Sequence, residues 1–153
     1  MLCGLSIRNI VLIDSLDLSF YRGLTVLSGE TGAGKSILLD ALGVALGGRV
    51  DTSMRRDGAP QASVTATFEI KNHEFLEEFF DKSGLSVNGP EEQLLHLRRV
   101  INDDGRTRAF INDQPVTANM LREIGDLLVE IQGQFDAQGL LNSKTHLKFL
   151  DIF

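Results

Sequence analysis

The residues best suited to chemistry form one continuous run: Gly29-Glu30-Thr31-Gly32-Ala33-Gly34-Lys35-Ser36. This run fits the pattern G-x-x-x-x-G-K-[ST], which surrounds the phosphates of a nucleotide. Its glycines allow a tight backbone turn whose N–H groups approach anionic oxygens without a Cβ in the way. The run therefore predicts a nucleotide phosphate site.

The last two residues of this run would supply its reactive side chains. Lys35 is expected to reach the β- and γ-phosphates and is the candidate catalytic residue, because it would stabilise charge on the γ-phosphoryl group. The Ser36 hydroxyl is expected to ligate Mg²⁺ between those phosphates. We predict ATP as the nucleotide, since no N-K-x-D sequence of the guanine-reading kind occurs in the chain.

The elements on either side of the run must position it. Leu24–Ser28 is apolar and β-favouring, which predicts a strand, and the helical spacing of apolar residues from Lys35 to Leu46 predicts a helix. Gly47-Gly48 is typical of a helix end. Before them, alternating patterns predict strands over 5–10 and 16–20, with a turn at Asp14-Ser15.

The second half of the chain alternates between strand and helix patterns. Period-two patterns predict strands over 62–70, 94–101 and 107–111, with residues 102–105 as the turn of a hairpin. Helical spacing predicts helices over 74–82, over 117–128 with Thr117 as N-cap, and from His146 to Phe153. The last helix is amphipathic and has no capping residue after its apolar side chains, so we expect the chain to be truncated near 145–153.

A complete hydrolytic site is not evident from the sequence. A P-loop enzyme also needs a carboxylate on an apolar strand to hold Mg²⁺. The nearest candidate is Glu130 after Leu127-Leu128-Val129, with a polar Gln132-Gly133-Gln134 directly behind it. We interpret this stretch as the strand that leaves the helix, and no Leu-Ser-Gly-Gly-type signature occurs in the chain.

Composition and charge exclude several classes of protein. The 153 residues are 42% apolar with one cysteine, Cys3, so an internal disulfide framework is excluded. The net charge of −6 argues against a surface that clamps nucleic acid everywhere. The three histidines lack metal-ligand spacing. The apolar run Ile10–Ile13 is too short for a membrane span or a signal peptide, so we expect a cytoplasmic protein without membrane contact.

The longer motifs resemble a known family. Leu5-x-Ile7-x-Asn9-Ile10, the Glu-Thr-Gly-Ala-Gly-Lys-Ser form of the P-loop, Gly105-Arg106-Thr107-Arg108 and Ile131-Gln132-Gly133-Gln134 resemble the RecN family of bacterial DNA repair proteins. That family belongs to the SMC-like branch of ABC-type ATPases. The resemblance covers essentially the whole chain.

This resemblance implies an α/β fold, the N-terminal lobe of a split P-loop ATPase head with an antiparallel β-subdomain. It also implies that a C-terminal lobe of the same head completes the catalytic site, that a second head is needed for hydrolysis, and that DNA is a partner of the full protein. Gln134 resembles the Q-loop glutamine that contacts Mg²⁺. Because Gln132 and Gln138 are close by, which of the three makes this contact stays open. The family acts in double-strand break repair, which implies association with the bacterial nucleoid.

Four arginines are candidates for DNA or nucleotide-sensing contacts. Arg55 and Arg56 follow the P-loop helix on a loop, and Arg106 and Arg108 share one face if both lie on one strand. Arg106 and Arg108 are on the opposite hairpin arm from Arg98 and Arg99. For each pair, surface or structural salt bridging is the alternative interpretation.

Two other functions remain open. One is a self-sufficient small P-loop enzyme, which would need a complete magnesium-holding carboxylate strand and a lid within these residues. The other is a non-catalytic interaction module whose P-loop is only structural. The two are distinguished from an ATPase-head lobe by turnover of the chain alone and by the effect of Lys35→Ala.

Overall fold

The structure is a computed structural model that describes residues 1–28, 34–70, 74–85, 94–129 and 131. The described elements are, in chain order, β1 (Leu2–Ile10), β2 (Ile13–Ser19), α1 (Gly34–Ala45), β3 (Gln61–Glu69), α2 (Glu74–Ser83), β4 (Leu94–Asn102), β5 (Thr107–Ile111), β6 (Gln114–Val116) and α3 (Ala118–Leu128). A short 3₁₀ helix spans Thr52–Met54. The expected combination of helices with an antiparallel sheet is confirmed.

The strands form one six-stranded antiparallel sheet in the order β2-β1-β3-β4-β5-β6. Period-two alternation places most of the apolar side chains on one face of this sheet. One cross-strand row on that face joins Leu5, Ala66, Leu97 and Ile111, all of which are buried. This apolar face is the sheet's contribution to the core.

The helices cover the apolar face. α1 contacts β1, β3 and β4, α3 contacts β5, and α2 contacts α3. The buried side of α1 carries Ile37, Ala41 and Val44, which match its predicted amphipathic spacing. The predicted helices over 74–82 and 117–128 are confirmed, and the Thr117 side chain caps α3 by accepting a hydrogen bond from the Met120 N–H.

Two glycines set the distance between α1 and α3. Gly47, at φ +84°, ends α1 as predicted, with the Gly48 N–H donating to the Gly43 carbonyl at 2.8 Å. A Cβ on Gly47 would lie 2.5 Å from the Arg122 backbone nitrogen, and a Cβ on Gly125 would lie 2.8 Å from the Leu46 carbonyl oxygen. The backbones of the two helices therefore meet directly, which fixes the position of α3 relative to α1.

The first hairpin turns earlier than predicted. The connection is Val11-Leu12, and the predicted turn residues Asp14 and Ser15 lie inside β2. The Val11 N–H donates to the Met54 carbonyl at 2.8 Å, so a segment more than forty residues away stabilises the turn. Local turn propensity could not show this contact, which explains the wrong position.

Two other strand predictions need correction. Leu24–Ser28 forms no strand, because none of the described strands lies beside it to exchange backbone hydrogen bonds. β6 was not predicted, although Asn112-Asp113 before it is a two-residue turn in which both residues have positive φ, 45° and 63°. Asparagine and aspartate tolerate that conformation, so this pair was the available signal.

Candidate functional site

The end of the P-loop run lies at the start of α1. Gly34, Lys35 and Ser36 form the first turn of this helix, whereas Gly29, Glu30, Thr31, Gly32 and Ala33 lie outside the described residues. The N-terminal end of a helix carries partial positive charge and N–H groups without intrahelical partners. The motif therefore leads directly into a helix end that can bind an anion.

The described part of this site fits a phosphate with a magnesium ion. A Cβ on Gly34 would meet no atom of the described residues within 4 Å. Ser36 is exposed and Lys35 is half-buried. The first turn of α1 contains no acidic residue that would repel an anion. These features suit the hydroxyl–metal and lysine–phosphate contacts that the sequence predicts.

The remaining predicted magnesium ligand cannot be placed. Gln134 lies outside the described residues, as do Gln132, Gln138 and Glu130. Among the residues that the structure does describe, no group of three or more His, Cys, Asp or Glu side chains is arranged to hold a metal ion. The magnesium site thus stays a prediction that combines Ser36 with Gln134.

Arg55 and Arg56 are held in local contacts. The Arg56 guanidinium lies 3.0 Å from the Asp14 carboxylate, and the Arg56 N–H donates to the Asn9 carbonyl at 2.8 Å. The Arg55 guanidinium donates to the Ala59 carbonyl. This loop is therefore fastened to the β1–β2 turn, and both arginines have structural partners.

The second arginine pair is divided between a turn and a strand. Arg106 precedes β5, so the expected common strand face with Arg108 is not formed. The Arg106 guanidinium is 3.5 Å from the Asp104 carboxylate, which holds it in the hairpin turn. Arg108 lies in β5 and is exposed. Of the two, only Arg108 lies on the hairpin arm opposite Arg98 and Arg99, and its partner across the strands is Val100.

Burial separates the two arginines of β4. Arg98 lies on the polar face, where its guanidinium is 2.7 Å from Asp113 and 4.6 Å from the ring centroid of Phe110. Arg99 lies on the core face and is only 7% exposed. Burial lowers the pKa of the Arg99 guanidinium because low-polarity surroundings disfavour the charged form. Sequence reasoning missed this difference, although strand alternation places neighbouring residues on opposite faces.

Comparison with known proteins defines the class of this fold and site. A family model described as an AAA domain matches residues 4–151, and the chain belongs to that family. The chain is also 43% identical to the DNA repair protein RecN of Haemophilus influenzae over 154 residues, across 100% of this chain. The predicted resemblance to an N-terminal RecN segment is confirmed. The chain spans about a quarter of the length of this relative, 27%.

Solved structures share the fold. An Smc head domain with an extended coiled coil from Pyrococcus furiosus, bound to the C-terminal domain of ScpA, superposes with a TM-score of 0.69 at 19% identity. The match covers 99% of this chain and 41% of that one. A chain from a study of ATP-driven dimerization and DNA-stimulated activation of SMC ATPases gives a TM-score of 0.68 at 19% identity, covering 99% of both chains. The predicted ATPase-head fold is thereby confirmed.

Proposed function

We propose that this chain is the ATP-binding part of an SMC-like ATPase head that acts in the repair of DNA double-strand breaks. The observation that carries the proposal is the position of the P-loop run, whose final residues Gly34, Lys35 and Ser36 begin α1. The similarity to RecN along the whole chain supports the same function. In bacteria, such a protein would work in the cytoplasm at the nucleoid. No helix in the described ranges is long and apolar enough to cross a membrane.

Each residue of the site has a role in this proposal. The backbone N–H groups of residues 29–34 and the N-terminal end of α1 bind the phosphates. Lys35 places a positive charge beside the γ-phosphoryl group, and Ser36 supplies a hydroxyl for Mg²⁺. Gln134 supplies an amide oxygen to the same ion. Magnesium, when bound, neutralises charge that develops on the phosphates.

The segment before the P-loop supports the C-terminal lobe as a partner. Leu24 and Val26 are 94% and 74% exposed, and Tyr21 is 82% exposed. These side chains suit a buried strand, and the described residues provide no strand beside them. We therefore assign this segment to the contact with the C-terminal lobe of the same head, which would also supply the missing carboxylate.

The partners of the whole protein belong to the same proposal. A second copy of the head would enclose the nucleotide, and hydrolysis would require that dimer. DNA is the macromolecular partner, and Arg55, Arg56, Arg106 and Arg108 are its proposed contacts or nucleotide sensors. Arg108 is the strongest of the four as a phosphate contact, since it is exposed and forms no ion pair with the residues that the structure describes.

Nucleotide binding by the 153-residue chain tests the site. Equilibrium binding of ATP with Mg²⁺ is measured by calorimetry for the unaltered chain, for Lys35→Ala and for Lys82→Ala. Lys82 lies in the last turn of α2 and serves as a matched lysine control. Lys35→Ala should weaken binding at least tenfold, and Lys82→Ala should leave it unchanged. Equal binding by all three proteins would instead support the interaction module with a structural P-loop.

Turnover distinguishes an incomplete head from a small enzyme. Phosphate release from ATP is measured for the chain alone and after mixing with a separately made C-terminal lobe. We expect turnover only in the mixture, and its loss when the mixture contains Lys35→Ala. Robust turnover by the chain alone would overturn the proposal and favour the self-sufficient P-loop enzyme.

A further inference from the structure

Arg99 is the one charged residue that is buried among those described. It lies in β4 on the core face of the sheet, where its neighbours across the strands are Val64 and Ala109. Both neighbours are buried and apolar. Arg99 therefore places a full positive charge in a cross-strand row whose other residues belong to the hydrophobic core.

The charge of Arg99 has no anionic partner in the described part of the chain. One terminal nitrogen of its guanidinium donates to the Thr107 hydroxyl at 2.7 Å. Its Nε is buried and has no acceptor. A buried cation without a counter-charge destabilises the fold unless something anionic compensates it. The contacts that Arg99 makes with the described residues therefore do not compensate its charge.

Arg99 borders a groove at the edge of the sheet, with a volume of about 630 Å³. β6 ends at Val116, which pairs with Ala109, so no strand continues beside Thr107 and Arg108. The groove opens where β6 ends, and its lining includes Arg99 and Arg108. Alternation along β5 places the side chain of Arg108 on the opposite face of the sheet from Thr107, so Arg99 is the arginine that borders the groove from the core side.

The N-terminus of α3 forms the other side of the groove. Thr117 and Ala118 line it, and α3 extends for eleven residues from Ala118. The Thr117 hydroxyl accepts a hydrogen bond from one N–H of this first turn, that of Met120. The first turn of α3 contains no acidic residue. The positive end of this helix therefore borders the same groove as Arg99.

We propose that this groove binds a phosphate group, at a site separate from the P-loop. A guanidinium presents planar donors that match phosphate oxygens, and a helix N-terminus adds backbone donors and positive charge. The Arg99 guanidinium together with a helix end suits a phosphate, whose several oxygens can accept from both, better than a carboxylate. Phe110, Pro115 and Val116 in the lining leave an apolar wall for the rest of a phosphate-bearing ligand.

Inorganic phosphate is the probe, and the Lys35→Ala chain is the background, because the P-loop run would also bind phosphate. Thermal unfolding is followed at pH 7 with rising phosphate, while sodium chloride keeps the ionic strength constant. A ligand that binds only the folded state stabilises it by RT ln(1 + [L]/Kd), so the unfolding temperature rises with the ratio of ligand concentration to Kd. We expect a rise in Lys35→Ala, and an apparent phosphate affinity at least tenfold weaker after adding Arg99→Met.

A control and a fallback variant make the result decisive. Arg22→Met removes an exposed arginine that pairs with Glu69 and should leave the phosphate effect unchanged. Arg99→Met should fold, since an apolar chain of similar length replaces an unpaired buried charge. If Arg99→Met does not fold, Arg99→Lys, which keeps a positive charge but lacks the planar set of donors, must weaken phosphate binding several-fold.

Three outcomes would overturn the proposal. They are the absence of a phosphate effect in Lys35→Ala, an equal effect with and without Arg99, and an equal effect of acetate at the same concentration. The last outcome would reassign the groove to carboxylates. None of these results depends on ATP binding at the P-loop run, so this proposal and the proposed function fail separately.

Discussion

Two β-favouring stretches of this chain have opposite environments. Residues 61–69 form β3 at the centre of the sheet, and Val64 and Phe68 are fully buried there. Leu24–Ser28 is comparably apolar but forms no strand, and Val26 is largely exposed. The comparison teaches that an apolar β-type sequence becomes a strand only where neighbouring strands complete its hydrogen bonds. The exposed stretch also leads into the nucleotide site.

The largest expected effect comes from truncating the buried stretch. Phe68→Ala should lower the free energy of unfolding by about 3–5 kcal/mol, because a fully buried ring leaves a cavity. Leu24→Ala, at a 94% exposed position, should change it by less than about 0.5 kcal/mol. Urea unfolding followed by circular dichroism measures both. A large loss for Leu24→Ala would show that the segment is buried in solution, which would break the comparison.

The next effect concerns the contact that anchors α1 at the end opposite to the nucleotide site. Gly125→Ala should destabilise the chain by about 1–3 kcal/mol, because the new Cβ would meet the Leu46 backbone. Gly43→Ala is the matched control, since its Cβ would meet nothing within 4 Å. In a helix interior that change should stabilise by about 0.5–1 kcal/mol. Effects of the same sign in both variants would contradict the direct contact between α1 and α3.

A smaller effect is expected at the cap of α3. Thr117→Ala removes the side-chain acceptor of the Met120 N–H and should cost about 1 kcal/mol of unfolding free energy. Thr117→Ser keeps a hydroxyl and should retain most of the stability. Amide hydrogen exchange in the first turn of α3, together with urea unfolding, measures the change. If alanine and serine behave alike, the cap does not stabilise this helix.

The smallest effect is a pH dependence on the polar face. Hydrogen bonds from Arg8, and then from Ser6, hold the pKa of Asp17 below its ordinary value of 3.8. A carboxylate with a lowered pKa stabilises the fold above its ordinary pKa, and this contribution disappears as pH falls through the folded-state value. Asp17→Asn should therefore reduce stability slightly at neutral pH and have no effect in strong acid.

Arg8→Gln is the companion to Asp17→Asn, because it removes the main cause of the lowered pKa. Unfolding free energies measured from pH 2 to pH 7 should show the same flattening in both variants. A flattened profile in Asp17→Asn but an unchanged profile in Arg8→Gln would assign the pKa shift to another group. The surface position of this pair keeps the expected difference small.

Much of the fold followed from local pattern. The alternation in β3, β4 and β5, the amphipathic spacing of α1 and α3, the Thr117 cap and the Gly47 helix end were all predicted and are confirmed. The first turn, the segment 24–28 and β6 were wrong or missed. The position of the first turn depends on the distant Met54, and the segment 24–28 has no described strand beside it. The signal for β6, the Asn-Asp turn before it, was present in the sequence.

In the candidate site, too, some features could be predicted from the sequence and others depend on the fold. The sequence motif by itself predicts a phosphate site at Gly29–Ser36, because phosphate binding depends on glycines and a helix end that are contiguous in the chain. It could not distinguish Arg98 from Arg99, nor show that Arg56 pairs with Asp14. Those differences depend on which side chains the fold brings within a few ångströms of one another.

The sequence alone therefore determined the type of most elements and predicted the phosphate-binding motif, since both depend on short-range spacing. The tertiary structure decided which apolar segments are buried, which arginines have partners, and where a groove opens beside Arg99. These properties arise from strand order and helix packing across the whole chain, and the physical reason is that burial and charge pairing depend on proximity in space.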